Sequence, residues 1–134
     1  MPIMDLKASC GPGNFLNGES VQAVFSATAS WIRRELGANP EDLSLVFADG
    51  DSMADTIKPE EIVIVDRSKT RRPGDGIWVF LYEEGLFIKR LQFMPGKQIK
   101  VKSDNPHYEP YTLTPGDSFC LLGRVIAALP LRRL

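Results

Sequence analysis

From residue 43 onward the chain alternates short apolar runs with turn residues. LSLVFA (43–48), IVIVD (62–66), GIWVFLYE (76–83), GLFIKRLQF (85–93), QIKVK (98–102) and FCLLGRVIAAL (119–129) are rich in β-branched and aromatic residues. Such residues suit a pleated, half-buried surface, so each run is predicted to be a strand. RRPGDG, NPHYEP and TPGDS supply turn chemistry between them. Glu84-Gly85 leaves room only for a tight hairpin, with Gly85 expected to supply the positive φ, so 76–83 and 85–93 are predicted antiparallel neighbours.

Ahead of the strands, FSATASWIRRELGANP (25–40) has a helical pattern. Ser26 is a suitable N-cap, Ala29, Ile32 and Leu36 recur at helical spacing, Gly37 suits the C-cap, and Pro40 prevents continuation. Residues 1–20 show neither period and are punctuated by Gly and Pro, which predicts a flexible arm joined to a single domain over 21–134. The expected fold class is mostly β, with several antiparallel strands and one short N-terminal helix.

Composition narrows the function classes. A chain of 134 residues with 43% apolar content is long enough to bury a core without disulfides or metal to hold it together. A formal charge of −1 gives no footprint for gripping a phosphate backbone. Arg67, Lys69, Arg71 and Arg72 cluster between two strand-like runs, where a solvated loop is the simpler reading. Cys10 and Cys120 are far apart in sequence and no signal peptide precedes them, so reduced thiols in a cytoplasmic protein are expected and a zinc site is not. The longest unbroken apolar run, Ile77–Tyr82, falls far short of the roughly 20 residues a membrane helix needs.

Candidate chemistry begins at VFADGDSMADTI (46–57), where an apolar run gives way to Gly50, Asp51 and Ser52. A serine hydroxyl is a weak nucleophile and needs a base. The only histidine, His107, lies in the proline-bounded SDNPHYEP and reads best as a turn residue. A desolvated lysine is the other option, because burial disfavours its charged form. The two-residue period of GLFIKRLQF puts Phe87, Lys89, Leu91 and Phe93 on one face, with Ile88, Arg90 and Gln92 on the other. Lys89 is therefore either a buried base or a snorkelling side chain with its ammonium in water. Ser52 follows a strand and precedes MADTI, a short turn with helical potential, so backbone N–H groups near Asp51 and Met53 are candidates for holding an oxyanion. Gly-Asp-Ser recurs at 116–118, where Ser118 reads as a turn residue, so the tripeptide alone decides nothing.

In order, GDSM (50–53) with TIKPEEIVIVD (56–66), GLFIKRL (85–91), SDNPHYEP (103–110) and LLGRVIAAL (121–129) resemble the self-cleaving domain of the LexA and phage CI-type repressors, a family that includes the UmuD polymerase subunits. The resemblance covers most of residues 8–128. It implies a LexA-like twisted sheet, partly barrel-like, with Ser52 as nucleophile, Lys89 as general base and Met53 lining the pocket. It also implies a scissile bond at Cys10-Gly11, where a small residue followed by Gly lets the backbone approach Ser52 closely. Pro12, next in the chain, restricts Gly11 to an extended or turned form. No cofactor is implied. The implied partners are a second copy of the chain and a recombinase filament on single-stranded DNA, with DNA itself reached only through a helix-turn-helix domain absent from this sequence. A UmuD-like polymerase accessory subunit and a non-cleaving dimerisation module are the alternatives.

Overall fold

The computed structural model describes residues 29–48, 50–130 and 134. The expected arm, the Ser26 cap and the Cys10-Gly11 bond lie outside the described residues. Helix α1 (Ala29–Leu36) is followed by β1 (Leu43–Phe47), β2 (Ile62–Asp66), β3 (Gly76–Tyr82), β4 (Gly85–Met94), β5 (Gln98–Lys102), β6 (Tyr111–Leu113) and β7 (Phe119–Leu129). Every strand read from the apolar runs forms. β6 was not foreseen, because three residues between Pro110 and Thr114 are too few to display a period.

Gly37 ends α1 as expected, its N–H donating to Arg33 O at 3.0 Å. The β3–β4 hairpin also forms, with Tyr82 opposite Gly85. One detail differs. The positive φ falls on Glu83, at 55°, and not on Gly85. Gly85 is the first residue of β4, and its missing Cβ instead leaves room for the Phe87 ring, whose Cε2 would lie 2.7 Å from a Cβ built there.

The seven strands form one sheet in the order β1-β2-β7-β3-β4-β5-β6. All neighbouring pairs are antiparallel. Alternation along β2 sends Val63 and Val65 to one face and Ile64 to the other. On the Ile64 face, Ile32 and Leu36 of α1 pack with Leu43, Leu45 and Ile126. On the Val63 face, Val79, Leu81 and Leu122 meet Met53 and Ile57 from the segment between β1 and β2. A third cluster joins Trp78 and Phe80 of β3 to Leu91, Val101 and Leu113 on β4, β5 and β6.

That third cluster is enclosed by the sheet itself. Tyr82 and Tyr111 stand on strands three places apart in the order, a span of about 14 Å in a flat sheet. Their ring centroids are 6.2 Å apart, so this half of the sheet curls inward. Among the described residues it does not close into a barrel, and β1 and β6 remain edges.

β7 serves both halves and carries a bulge against each partner. Val79 and Phe80 pair with Gly123 and Leu121, leaving Leu122 unmatched, and Ile64 and Val65 pair with Ala127 and Val125, leaving Ile126 unmatched. Bulges of this kind bend a strand and re-aim its side chains. Gly123 lies between them, where an added Cβ would sit 2.3 Å from Val65 Cγ1 and 3.1 Å from Asp66 O. Gly123→Ala must push β7 away from β2. A loss of about 1–3 kcal/mol is expected, read as a lower urea midpoint at unchanged slope.

Candidate active site

The segment between β1 and β2 is an excursion closed at its neck. Ala48 N–H donates to Glu61 O at 2.8 Å, and Glu60 N–H donates to Ala48 O at 2.9 Å. Above the neck, Gly50 has φ 76°, a conformation that glycine adopts without strain. Turns follow, with Ala54 N–H donating to Asp51 O at 3.0 Å and Ile57 N–H to Met53 O at 2.6 Å. The helical potential of MADTI is thus realised only as successive turns. Met53 and Ile57, 4% and 3% exposed, fasten the excursion to the core. Ser52, next to the Met53 anchor, is left half-buried.

Lys89 comes to the same place from β4. The strand buries Lys89 and Leu91 and exposes Arg90 and Gln92, which is the predicted alternation. Trp78, fully buried, stands opposite Lys89 in the ladder. Only 9% of Lys89 is exposed, so its amine does not snorkel freely into water. Desolvation pushes the amine below its ordinary value, while the carboxylate of Asp51 pulls it back upward. Lys89 Nζ donates to Ser103 Oγ at 3.0 Å and lies 5.2 Å from the centroid of the Tyr108 ring.

A third element, the loop after β5, ties the other two together. Asn105 N–H donates to Ser52 O at 2.8 Å, and Asn105 Nδ2 donates to Asp51 O at 3.0 Å. The Tyr108 hydroxyl donates to Asp51 Oδ1, and that carboxylate pushes the phenol pKa upward. Asp104 is gripped by Arg90 through two contacts of 2.8 Å and by the hydroxyl of Thr56. The guanidinium holds the Asp104 carboxyl below the usual carboxylate range. Asp104 N–H also donates to Met53 Sδ at 3.3 Å.

Ser52, Met53 and Lys89 line one small cavity of about 70 Å³, together with Gly50, Ile57 and Ile88. Asp51 is exposed at the rim and bonded to Tyr108. The sequence motifs 50–53 and 85–91 thus converge on a single cavity. Cys10 and Gly11 lie outside the described residues, while Cys120, expected as a reduced thiol, is instead disulfide-bonded. His107 is exposed in the turn, with its backbone N–H on Asn105 Oδ1, and Ser118 is exposed in the turn before β7. The basic run Arg67–Arg71 is a 3-10 turn in which Arg67 donates to Glu41 O.

Ser103, Asp104, Asn105 and Tyr108 are the residues that sequence reasoning left without a role. Their motif, SDNPHYEP, stood out as a turn and as part of the family resemblance, with no role given to these side chains. Nothing in its pattern says which two other segments its polar groups will reach.

The family model described as "Peptidase S24-like" matches residues 2–126, spanning both the Ser52 turn and the Lys89 strand. The chain belongs to this family. It is 34% identical over 118 residues to a 26 kDa repressor protein of Escherichia phage HK022, an alignment covering 86% of this chain and 50% of the phage protein. It is 27% identical over 110 residues to an uncharacterized HTH-type transcriptional regulator of Haemophilus influenzae, covering 81% of this chain and 46% of that protein. The S24-like chain therefore spans about half the length of these curated relatives. Among its described residues, no helix is long and apolar enough to cross a membrane.

Proposed function

We propose that this S24-like domain is the regulatory half of a LexA/CI-like repressor and inactivates that repressor by cutting its own Cys10-Gly11 bond. The carrying observation is the Lys89 amine, desolvated on the wall of the cavity that Ser52 also lines. In this mechanism the arm folds back and presents the Cys10 carbonyl to Ser52 Oγ. Neutral Lys89 accepts the hydroxyl proton as the Ser52 Oγ–C bond forms, and backbone N–H groups around residues 51–53 hold the oxyanion. The C–N bond then breaks, the Gly11 amine leaves with the proton from Lys89, and an ester joins Cys10 to Ser52. Water, deprotonated by Lys89, hydrolyses the ester and restores the serine.

An intramolecular substrate makes the cut first order, so the population of docked arm sets the rate together with the chemistry. The relatives' printed names, one a repressor and one an HTH-type regulator, support a regulatory role. Pairing of two such domains would join two DNA-reading heads, and cutting the connection would lower operator affinity through lost avidity. The resemblance to LexA supports a recombinase filament on single-stranded DNA as the trigger, acting by favouring the docked arm after DNA damage.

Intact mass followed over time from neutral to alkaline pH tests the chemistry. Fragments ending at Cys10 and beginning at Gly11 are expected. Their rate of appearance should rise about tenfold per pH unit and level off once Lys89 is neutral. Because burial lowers the Lys89 pKa, levelling should begin below the ordinary value of 10.5. A rate indifferent to pH, or a cut at another bond, would overturn the assignment.

A further inference from the structure

An amine that takes a proton from Ser52 must aim its single lone pair at the serine hydroxyl. A lysine stem is long and rich in rotamers, so its aim must come from outside the side chain. Among the described residues, the hydrogen bond that Lys89 Nζ donates goes to Ser103 Oγ, at 3.0 Å. The Tyr108 ring closes in on the same amine, 5.2 Å from its centroid.

The placement of Ser103 is itself over-determined. Its neighbour Asp104 is forked onto Arg90, the residue after Lys89, and takes a further bond from Thr56 of the excursion. Asp104 N–H reaches Met53 Sδ, and Asn105 N–H reaches Ser52 O at 2.8 Å. The hydroxyl is thus carried on a segment bolted to both the base's strand and the nucleophile's turn. A serine serving merely as a convenient acceptor for a buried lysine would not require that framework.

We infer that Ser103 is a positioning residue for Lys89: its hydroxyl accepts one N–H of the amine and so turns the lone pair toward Ser52. The inference rests on the proposed Ser52–Lys89 chemistry and adds a third side chain to it. A hydrogen bond donated by an ammonium is stronger than one donated by a neutral amine, so Ser103 also holds the proton on Lys89. The other groups around the amine are the Asp51 carboxylate, which favours the charged form, the Tyr108 ring, and the Arg90–Asp104 pair, whose charges offset each other.

The test compares Ser103→Ala, Ser103→Val and Ser103→Thr, the last two matched in shape and differing only in the hydroxyl. First-order cutting is followed from neutral to alkaline pH. Ser103→Ala and Ser103→Val should lower the plateau rate about 10- to 100-fold, as expected when a reacting group loses its alignment. Their rising limb should also move to lower pH. Ser103→Thr should keep both features near those of the unaltered chain. A purely structural role would lower the plateau without moving the limb or would make Ser103→Thr and Ser103→Val alike, and either result overturns the inference.

The Lys89 13Cε resonance, titrated in a Ser52→Ala background, provides a readout independent of cutting. Its midpoint should fall in Ser103→Ala and Ser103→Val, and an unmoved midpoint overturns the inference. If the unaltered chain shows no cutting at all, the peptidase proposal fails and the titration alone decides whether Ser103 holds the amine.

Discussion

Ser52→Ala and Lys89→Ala are each expected to leave the chain whole under alkaline conditions in which the unaltered protein should divide at the proposed Cys10-Gly11 bond. The two losses have different origins. Ser52→Ala removes the atom proposed to form the ester, and no neighbouring described group in the cavity replaces it. Lys89→Ala keeps the proposed nucleophile but removes the proposed proton acceptor, and general-base catalysis contributes about 10²–10⁴-fold. Lys89→Met is the sharper variant. It keeps an apolar stem beside Leu91 and Trp78 and removes only the amine. Intact mass over the same time course, with circular dichroism to show that the fold persists, is the measurement. Fragments formed at the unaltered rate in either variant would show that the Ser52–Lys89 pair does not do the cutting.

Trp78→Ala should produce the largest loss of stability. The ring is fully buried, lies edge-on to Phe93 with centroids 6.2 Å apart, and donates its Nε1–H to Gly74 O at 2.9 Å. Removing so large a side chain from a packed core costs about 3–5 kcal/mol. That is a large part of the roughly 5–15 kcal/mol that keeps a domain folded. A urea unfolding curve gives the loss directly. Trp78→Phe retains most of the volume and gives up the Gly74 hydrogen bond, so it should cost much less. Trp78 also stands opposite Lys89. Water admitted where the ring was would relieve desolvation of the amine and raise its pKa, so Trp78→Ala molecules that remain folded should cut more slowly at neutral pH.

Both expectations turn on Lys89, which is held on a strand beside the core residues Trp78 and Leu91. Its place on the apolar face was legible in advance, although the pattern alone left burial and snorkelling both open. In GLFIKRLQF the period of two settles which residues share a face, and β4 obeys it, burying Lys89 and Leu91 while exposing Arg90 and Gln92. The six longer strands were legible for the same reason, since each run is long enough to show its composition and is bounded by turn residues. β6 was not, at three residues. Nor did Gly85 reveal its use: a hairpin glycine suggests a positive φ, but the chain turns at Glu83, and the Phe87 ring occupies the space that a Cβ would need.

A mostly β domain, the longer strands that build it, and Ser52 and Lys89 as the pair to examine could all be read from the residues alone. These properties are local: strand periodicity, turn chemistry and the short motifs GDSM and GLFIKRL are written within a few residues of one another. That SDNPHYEP ties the other two segments together emerges only in the folded chain. Asn105 reaches Ser52, Tyr108 reaches Asp51, Asp104 reaches Arg90 and Thr56, and Ser103 meets Lys89. A polar side chain in a turn has no period and no fixed partner. Its hydrogen bonds are set by where the sheet places distant backbone, so its role becomes visible only once the sheet has formed.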